Sequence, residues 1–325
     1  MILKKKISSL KFRNHSAPVL VKYLVFIILN VILLEITSYF AVTALSKKAV
    51  FYNQSLITQD YPEYLTLVDE QLGWGPHLIA INEDGSRSDP NSKEDMPKCL
   101  DVFGDSFTWS DQVEDHEAWA SLLTKTEKCR IRNFGVPGFG TDQAFMRYHS
   151  LQHTNEIVLL NHLSENIVRN INQFRNLIYP DYVFKFKPVF TLANGEIELI
   201  EIPFPPTEEI ASFLADPQLY LKEEFFIPDG KSGVQTIRFP YSFNLVRAFG
   251  HWHLKSKLKG SIRYAQYYDV DHISNAFNIT QSIMKSFAET AKNRGGKPII
   301  GFFPTCDDLK HFLRTDAFVY DDLMS

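Results

Sequence analysis

Cys99-Leu-Asp-Val-Phe-Gly-Asp-Ser-Phe-Thr108 is the stretch on which the fold class turns. Its first five residues, Cys99–Phe103, form a short apolar run ended by a turn signal, the pattern of a buried strand. Gly104-Asp-Ser-Phe-Thr108 follows directly. A polar turn at the carboxyl end of a strand is where open α/β sheets place their sites. Similar runs recur at Ile131–Phe134, Ile157–Asn161 and Pro298–Phe303. Helical patterns lie between them: Glu117–Leu123 after the first run, Asp142–Leu151 after the second, Ile273–Arg294 before the last. Strands alternating with helices imply right-handed βαβ units and a parallel sheet, so the fold class is α/β.

Working outward, residues 96–325 carry this α/β pattern, and residues 46–95 are a polar, turn-rich lead-in. Within the domain, residues 175–265 read as an insertion beside the sheet. Val183-Phe-Lys-Phe-Lys alternates, Phe190–Leu199 reads as a hairpin turning at Asn194-Gly195, and residues 205–265 are Pro-interrupted and partly helical. Upstream, residues 23–45 form an apolar run about 35 Å long as a helix, enough to span a bilayer with some tilt. It is too long for a signal-peptide core and ends in Ala-Leu-Ser-Lys-Lys, so it reads as an uncleaved anchor. Asn30 and Glu35 within it are costly in hydrocarbon. They mark a helix–helix contact, or else two polar residues that the anchor tolerates. Residues 1–22 hold Lys4, Lys5, Lys6, Lys11, Arg13 and Lys22 and no acid, so the positive-inside rule puts the N-terminus in the cytoplasm and the domain outside it.

Composition narrows the function classes. The 325 residues are 45% hydrophobic and 22% charged, ordinary for a folded chain and unlike a disordered one. A net charge of -4 argues against a dedicated nucleic-acid binder. Cys99, Cys129 and Cys306 lie too far apart for zinc spacing, and His251 and His253 lack a carboxylate or Cys partner, so no metal site is expected. No cofactor motif is present either, the Walker pattern with its Lys being absent. The basic stretch His251–Lys259 reads as a solvated helix face or as a contact for anionic lipid or glycan.

Three strand ends carry candidate chemistry. Ser106 follows the first strand at a helix start, where a nucleophile faces solvent and a backbone N–H points at an anion; the plainer alternative is a turn with an N-cap Ser. Asn133-Phe-Gly-Val-Pro-Gly-Phe-Gly140 follows the second strand, and its glycines allow close approach or positive φ, or simply a tight turn. Asn166 follows the third strand and offers a side-chain amide donor, or else a helix cap. Together the loops supply a nucleophile and two oxyanion donors at one edge, the geometry acyl transfer requires.

In these blocks the chain resembles the SGNH/GDSL hydrolase superfamily, in its membrane-anchored bacterial branch. Gly104-Asp-Ser-Phe-Thr108 matches the first block, whose Ser is the nucleophile. Asn133-Phe-Gly-Val-Pro-Gly138 resembles the second block, and the oxyanion N–H falls on Gly138. Asn166 fits the third, although Ser164-Glu-Asn-Ile167 replaces the usual Gly-x-Asn-Asp. The resemblance covers about residues 70–320 and implies a flavodoxin-like three-layer α/β/α sandwich with a central parallel sheet. It also implies serine esterase or O-acyltransferase activity. With the anchor, the expected partner is an acylated glycan or other ester of the cell envelope. The alternative is a non-catalytic or truncated SGNH-like domain that binds glycan or serves assembly.

The family's last block, Asp-x-x-His, supplies the base and its orienter. The resemblance places it after a further strand, beyond residue 325. Two such strings occur here. Asp269-Val-Asp-His272 precedes the last helix and strand, the wrong place, and Asp308-Leu-Lys-His311 follows a strand end. No His is therefore expected within hydrogen-bond reach of Ser106 except His311, with Asp308 as its orienter. The family's strand order also sets Cys99 and Cys129 at the same end of adjacent parallel strands, within possible disulfide reach, and leaves Cys306 single.

Overall fold

The computed structural model describes residues 17–75, 82–152, 154–250, 254 and 260–325. The helices, in chain order, are α1 (Ala17–Ser46), α2 (Tyr61–Leu67), α3 (Ser106–Trp109), α4 (Trp119–Glu127), α5 (Thr141–Ser150), α6 (Asn166–Arg169), α7 (Ile210–Ala215), α8 (Tyr241–Ala248), α9 (Ala276–Asn293), α10 (Cys306–Thr315) and α11 (Asp321–Met324). The strands are β1 (Phe51–Tyr52), β2 (Lys98–Phe103), β3 (Arg130–Asn133), β4 (Ile157–Leu163), β5 (Val189–Ala193), β6 (Glu196–Ile200), β7 (Gln235–Thr236) and β8 (Lys297–Phe303). The fold is mixed α/β.

Its centre is a four-stranded, all-parallel sheet in the order β3-β2-β4-β8. Parallel strands are covered on both faces, and the side-chain parity shows it here. Phe103, Val158 and Leu160 pack with Ala144, Tyr148, Ile283 and Phe287 of α5 and α9. Val102 and Leu159, of the opposite parity, pack with Ala120 and Leu123 of α4 and with Ile131. The disulfide Cys99–Cys129, with a Cα separation of 5.9 Å, ties β2 to the residue before β3, and Cys306 is free and exposed.

The four expected strands are present, with shifted ends. β4 runs two residues past Asn161 because both polar residues there find buried partners. Asn161 Nδ2 donates to Thr108 Oγ1 at 3.1 Å, and His162 bonds Thr141 Oγ1 and the Tyr268 hydroxyl at 2.7 and 2.8 Å. The hairpin is β5–β6, antiparallel, turning at Asn194-Gly195. Residues 183–187 join no sheet. Phe184 and Phe186 are buried, and a single bridge links Phe174 to Phe186.

α1 is one 30-residue helix, long and apolar enough to cross a membrane. It starts upstream of the expected residue 23, and its last third packs on the domain. Among the basic residues that set the expected topology, Lys4 to Arg13 lie outside the described residues, as does the basic stretch 251–259 apart from Leu254.

Candidate active site

Parallel strands bring all their carboxyl ends to one edge. The turn after β2 holds Ser106, the loop after β3 holds Gly138, the turn after β4 holds Asn166, and α10 starts after β8. The chain leaves β2 toward β3 on one side and comes back to β4 on the other. Ser106 and Asn166 thus flank the switch point, where open sheets leave a crevice.

Asp105 builds the Ser106 turn. As N-cap of α3 its carboxylate accepts the Phe107 N–H at 2.9 Å, one of the helix's orphan donors. Ser106 is thereby fixed as the first helical residue, half-buried, and its hydroxyl makes no hydrogen bond among the described residues. Neither the Ser106 nor the Gly138 backbone N–H has an acceptor among them.

The second loop is stapled beneath this turn. Asn133 Nδ2 donates to Thr108 O at 2.7 Å, and Val136 N–H donates to Gly104 O at 3.0 Å. Contact is so close at Gly135 that a Cβ there would sit 2.5 Å from the Trp109 nitrogen, which only glycine avoids. Gly138 has φ +85°, a left-handed conformation that glycine adopts without strain. Trp74 of the lead-in closes the loop from outside, its Nε1 donating to Pro137 O at 3.2 Å.

Asn166, first residue of α6, is fully buried, and neither atom of its amide finds a hydrogen-bond partner among the described residues. Its amide acts on the Asp105 carboxylate, favouring the charged form from outside hydrogen-bonding geometry. The other Asn near this strand end are committed elsewhere. Asn161 holds Thr108, and Asn170 accepts the Asp142 N–H and donates to Thr280 Oγ1. A buried amide without a partner costs free energy, about 1–3 kcal/mol, and calls for an explanation, of which a catalytic role is one.

Arg169, one turn on from Asn166, ties the three loops together. Its Nη1 donates to Asp105 Oδ2 at 3.2 Å and to Phe139 O at 2.8 Å, while Nη2 pairs with Glu165. Burial, aided by the nearby Arg175 charge, pushes the guanidinium down to about 9, so it stays charged at neutral pH. Burial pushes the Asp105 carboxyl up, and the Arg169 charge opposes this. Arg169 and His162 are site residues that the sequence did not single out. No local pattern marks them, since each bonds residues distant in sequence.

The described histidines do not reach Ser106. His162 uses both ring nitrogens inside the sheet, and burial pushes it down to about 3, so it is neutral. His272 Nδ1 bonds Ser274 Oγ at 2.8 Å, so Asp269–His272 is a local turn. Asp308 is a capping residue. One of its oxygens takes Thr305 N–H and Oγ1, both at 2.7 Å, the Tyr264 hydroxyl at 2.8 Å and Ser164 Oγ. The structure does not pair it with His311, whose half-exposed ring on α10 bonds neither Asp308 nor Ser106. His15, His77, His153, His251 and His253 lie outside the described residues. The arrangement therefore presents a free serine hydroxyl and candidate anion donors, with no bonded base among the described residues.

No protein-family model matches this chain, and no curated protein does.

Proposed function

We propose that Ser106 is the nucleophile of an SGNH-type serine esterase or O-acyltransferase, anchored in the membrane by α1 and acting outside the cytoplasm on an acylated glycan or envelope component. The observation that carries this reading is the junction of the three loops at the switch point. A half-exposed, unbonded Ser106 hydroxyl stands at a helix start, beside a loop with a positive-φ Gly138 and a turn with the unpartnered Asn166 amide. Numbering the central strands in chain order gives 2-1-3-4, the flavodoxin-like order, with helices over both faces. That supports the three-layer sandwich. The Cys99–Cys129 bridge suits an oxidising compartment and thus a domain outside the cytoplasm.

In this mechanism the Ser106 oxygen attacks the ester carbonyl as its proton passes to a base. Negative charge collects on the former carbonyl oxygen, which the Ser106 and Gly138 N–H groups and Asn166 Nδ2 bind. Collapse expels the alcohol with a proton and leaves acyl-Ser106, which water or an acceptor hydroxyl then cleaves. Asp105 and Arg169 position the turn and do not touch the substrate. The base is the one part that the described residues do not provide, so imidazole from solution is its natural substitute.

Detergent-solubilised chain with p-nitrophenyl acetate tests the reading. Hydrolysis should be slow alone and should rise with imidazole above the rate of imidazole itself. Ser106→Ala should abolish that excess, and Asn166→Ala should cut it about 10²-fold, the cost of one oxyanion donor. An excess that survives Ser106→Ala would refute the assignment and favour a binding or assembly role.

A further inference from the structure

The other feature that asks for a partner lies where the anchor meets the domain. Glu35 sits inside the apolar stretch of α1, yet it does not face lipid alone. Its Oε2 accepts the Tyr241 N–H at 2.6 Å and the Ser242 N–H at 3.3 Å, and Ser242 Oγ donates to Oε1. These are first-turn donors of α8, whose own cap, Pro240, has no side-chain acceptor. The acid in the span is thus the N-terminal cap of a second helix, and the negative charge suits that end of the helix dipole.

The two helices are packed as well as bonded. Val42 of α1 and Ala248 of α8 share a small buried cluster with Val50 and Phe51, and Leu45, Tyr241 and Leu245 pack against it. The Tyr39 and Tyr241 rings meet edge-on at 5.1 Å. With residues 241, 245 and 248 turned to α1, the opposite side of α8 should be polar if it faced water. It carries instead Phe243 and Val246, 58% and 69% exposed, with the exposed Arg247 lying over the Phe243 ring at 5.8 Å, and Phe239 and Phe249 flank α8 with 71% and 63% of their surfaces exposed. An exposed apolar patch of this kind marks an interaction surface.

The position along α1 says what covers it. Thirty residues make a helix of about 45 Å, against a hydrocarbon core of about 30 Å. Glu35 lies 11 residues before Ser46, about 16 Å from the helix end. A 30 Å core entered at Tyr23, just past Lys22, is left near Val42, so the start of α8 meets α1 about 10 Å inside the leaflet from which α1 emerges. On α1 itself, Ile36 and Phe40 near Glu35 are also exposed.

We propose that α8 is an interfacial helix, its Phe243 and Val246 and the flanking Phe239 and Phe249 inserted among lipid acyl chains in the leaflet from which α1 emerges. The domain then lies docked on the bilayer, with Glu35 as the clasp, instead of hanging from a tether. This rests on α1 spanning the membrane and is independent of the ester chemistry. Interfacial helices bind through buried apolar area, and here the anchor holds that area permanently at the surface.

Nitroxide labels on the full chain in phosphatidylcholine–phosphatidylglycerol liposomes test this. Val246→Cys and Phe249→Cys would each be labelled in a Cys306→Ser background. Leu33→Cys serves as the reference in the span and Leu313→Cys as the reference in water. Collision with oxygen should exceed collision with a water-soluble nickel chelate at 246 and 249, as at 33 and unlike 313. Labels at 246 and 249 that behave like 313 would overturn the proposal. Spin–spin broadening with both collision agents excluded would overturn it too, by showing that a second copy covers the face. Glu35→Ala should shift the 246 label toward the aqueous reference and leave the 33 label unchanged. An unchanged 246 label would refute the clasp.

Discussion

Arg169 shows how one residue makes three loops into a site. Its guanidinium is buried with the Asp105 carboxylate, so removing it strands a charge in the interior. Arg169→Met should cost about 3–5 kcal/mol in denaturant unfolding. Asp105→Asn with Arg169→Met should cost less than Arg169→Met alone, because no unpaired charge is left. A double variant no more stable than the single one would contradict the pairing. His162 gives a pH signature. Its folded value of about 3 lies below the ordinary 6.5, because burial opposes the charged ring. As pH falls below 6.5 the unfolded chain takes up a proton that the folded chain refuses. Stability should therefore drop through the window from 6.5 to 3, by up to about 1.4 kcal/mol per pH unit. His162→Gln should flatten that part of the stability curve, and an unchanged slope would contradict it. Ser106 and Asn166 stand out in the sequence because each follows a strand end, and Gly138 through the family block that its loop resembles. Arg169 and His162 do not, because their roles depend on loops far away in sequence that meet only in the folded chain. The same holds for Asp308. Its spacing to His311 suggests catalysis, yet its position in the first turn of α10 makes it a cap.

At the scale of elements, the four central strands are legible because buried parallel strands read as apolar runs. The extra length of β4 is not, since Asn161 and His162 look like a strand end until their partners are known. The helix pair α1–α8 is likewise hidden. Glu35 alone reads as a tolerated polar residue, and Tyr241 is 206 residues away. The Cys99–Cys129 bridge closes a loop of 30 residues at the start of two adjacent strands. Chain entropy predicts a loss of about 3–4 kcal/mol for Cys99→Ser with Cys129→Ser. Unfolding midpoints that match under oxidising and reducing conditions would show that no bridge forms.

At the scale of the whole molecule, the proposed anchor and clasp decide where the proposed chemistry would take place. If the domain lies outside the cytoplasm, exposed Cys306, the free thiol among the described residues, should react with an impermeant maleimide in intact cells. Labelling only after lysis would place the domain inside and remove the envelope substrate. The central claim is that Ser106 accepts an acyl group, and peptide mass spectrometry reads this directly. The full chain is incubated with p-nitrophenyl acetate and imidazole, quenched in acid and digested. The account predicts one acetyl group on the peptide that contains Ser106, absent in Ser106→Ala and reduced in Asn166→Ala. Acetyl groups confined to lysines, or equal on that peptide in Ser106→Ala, would contradict it.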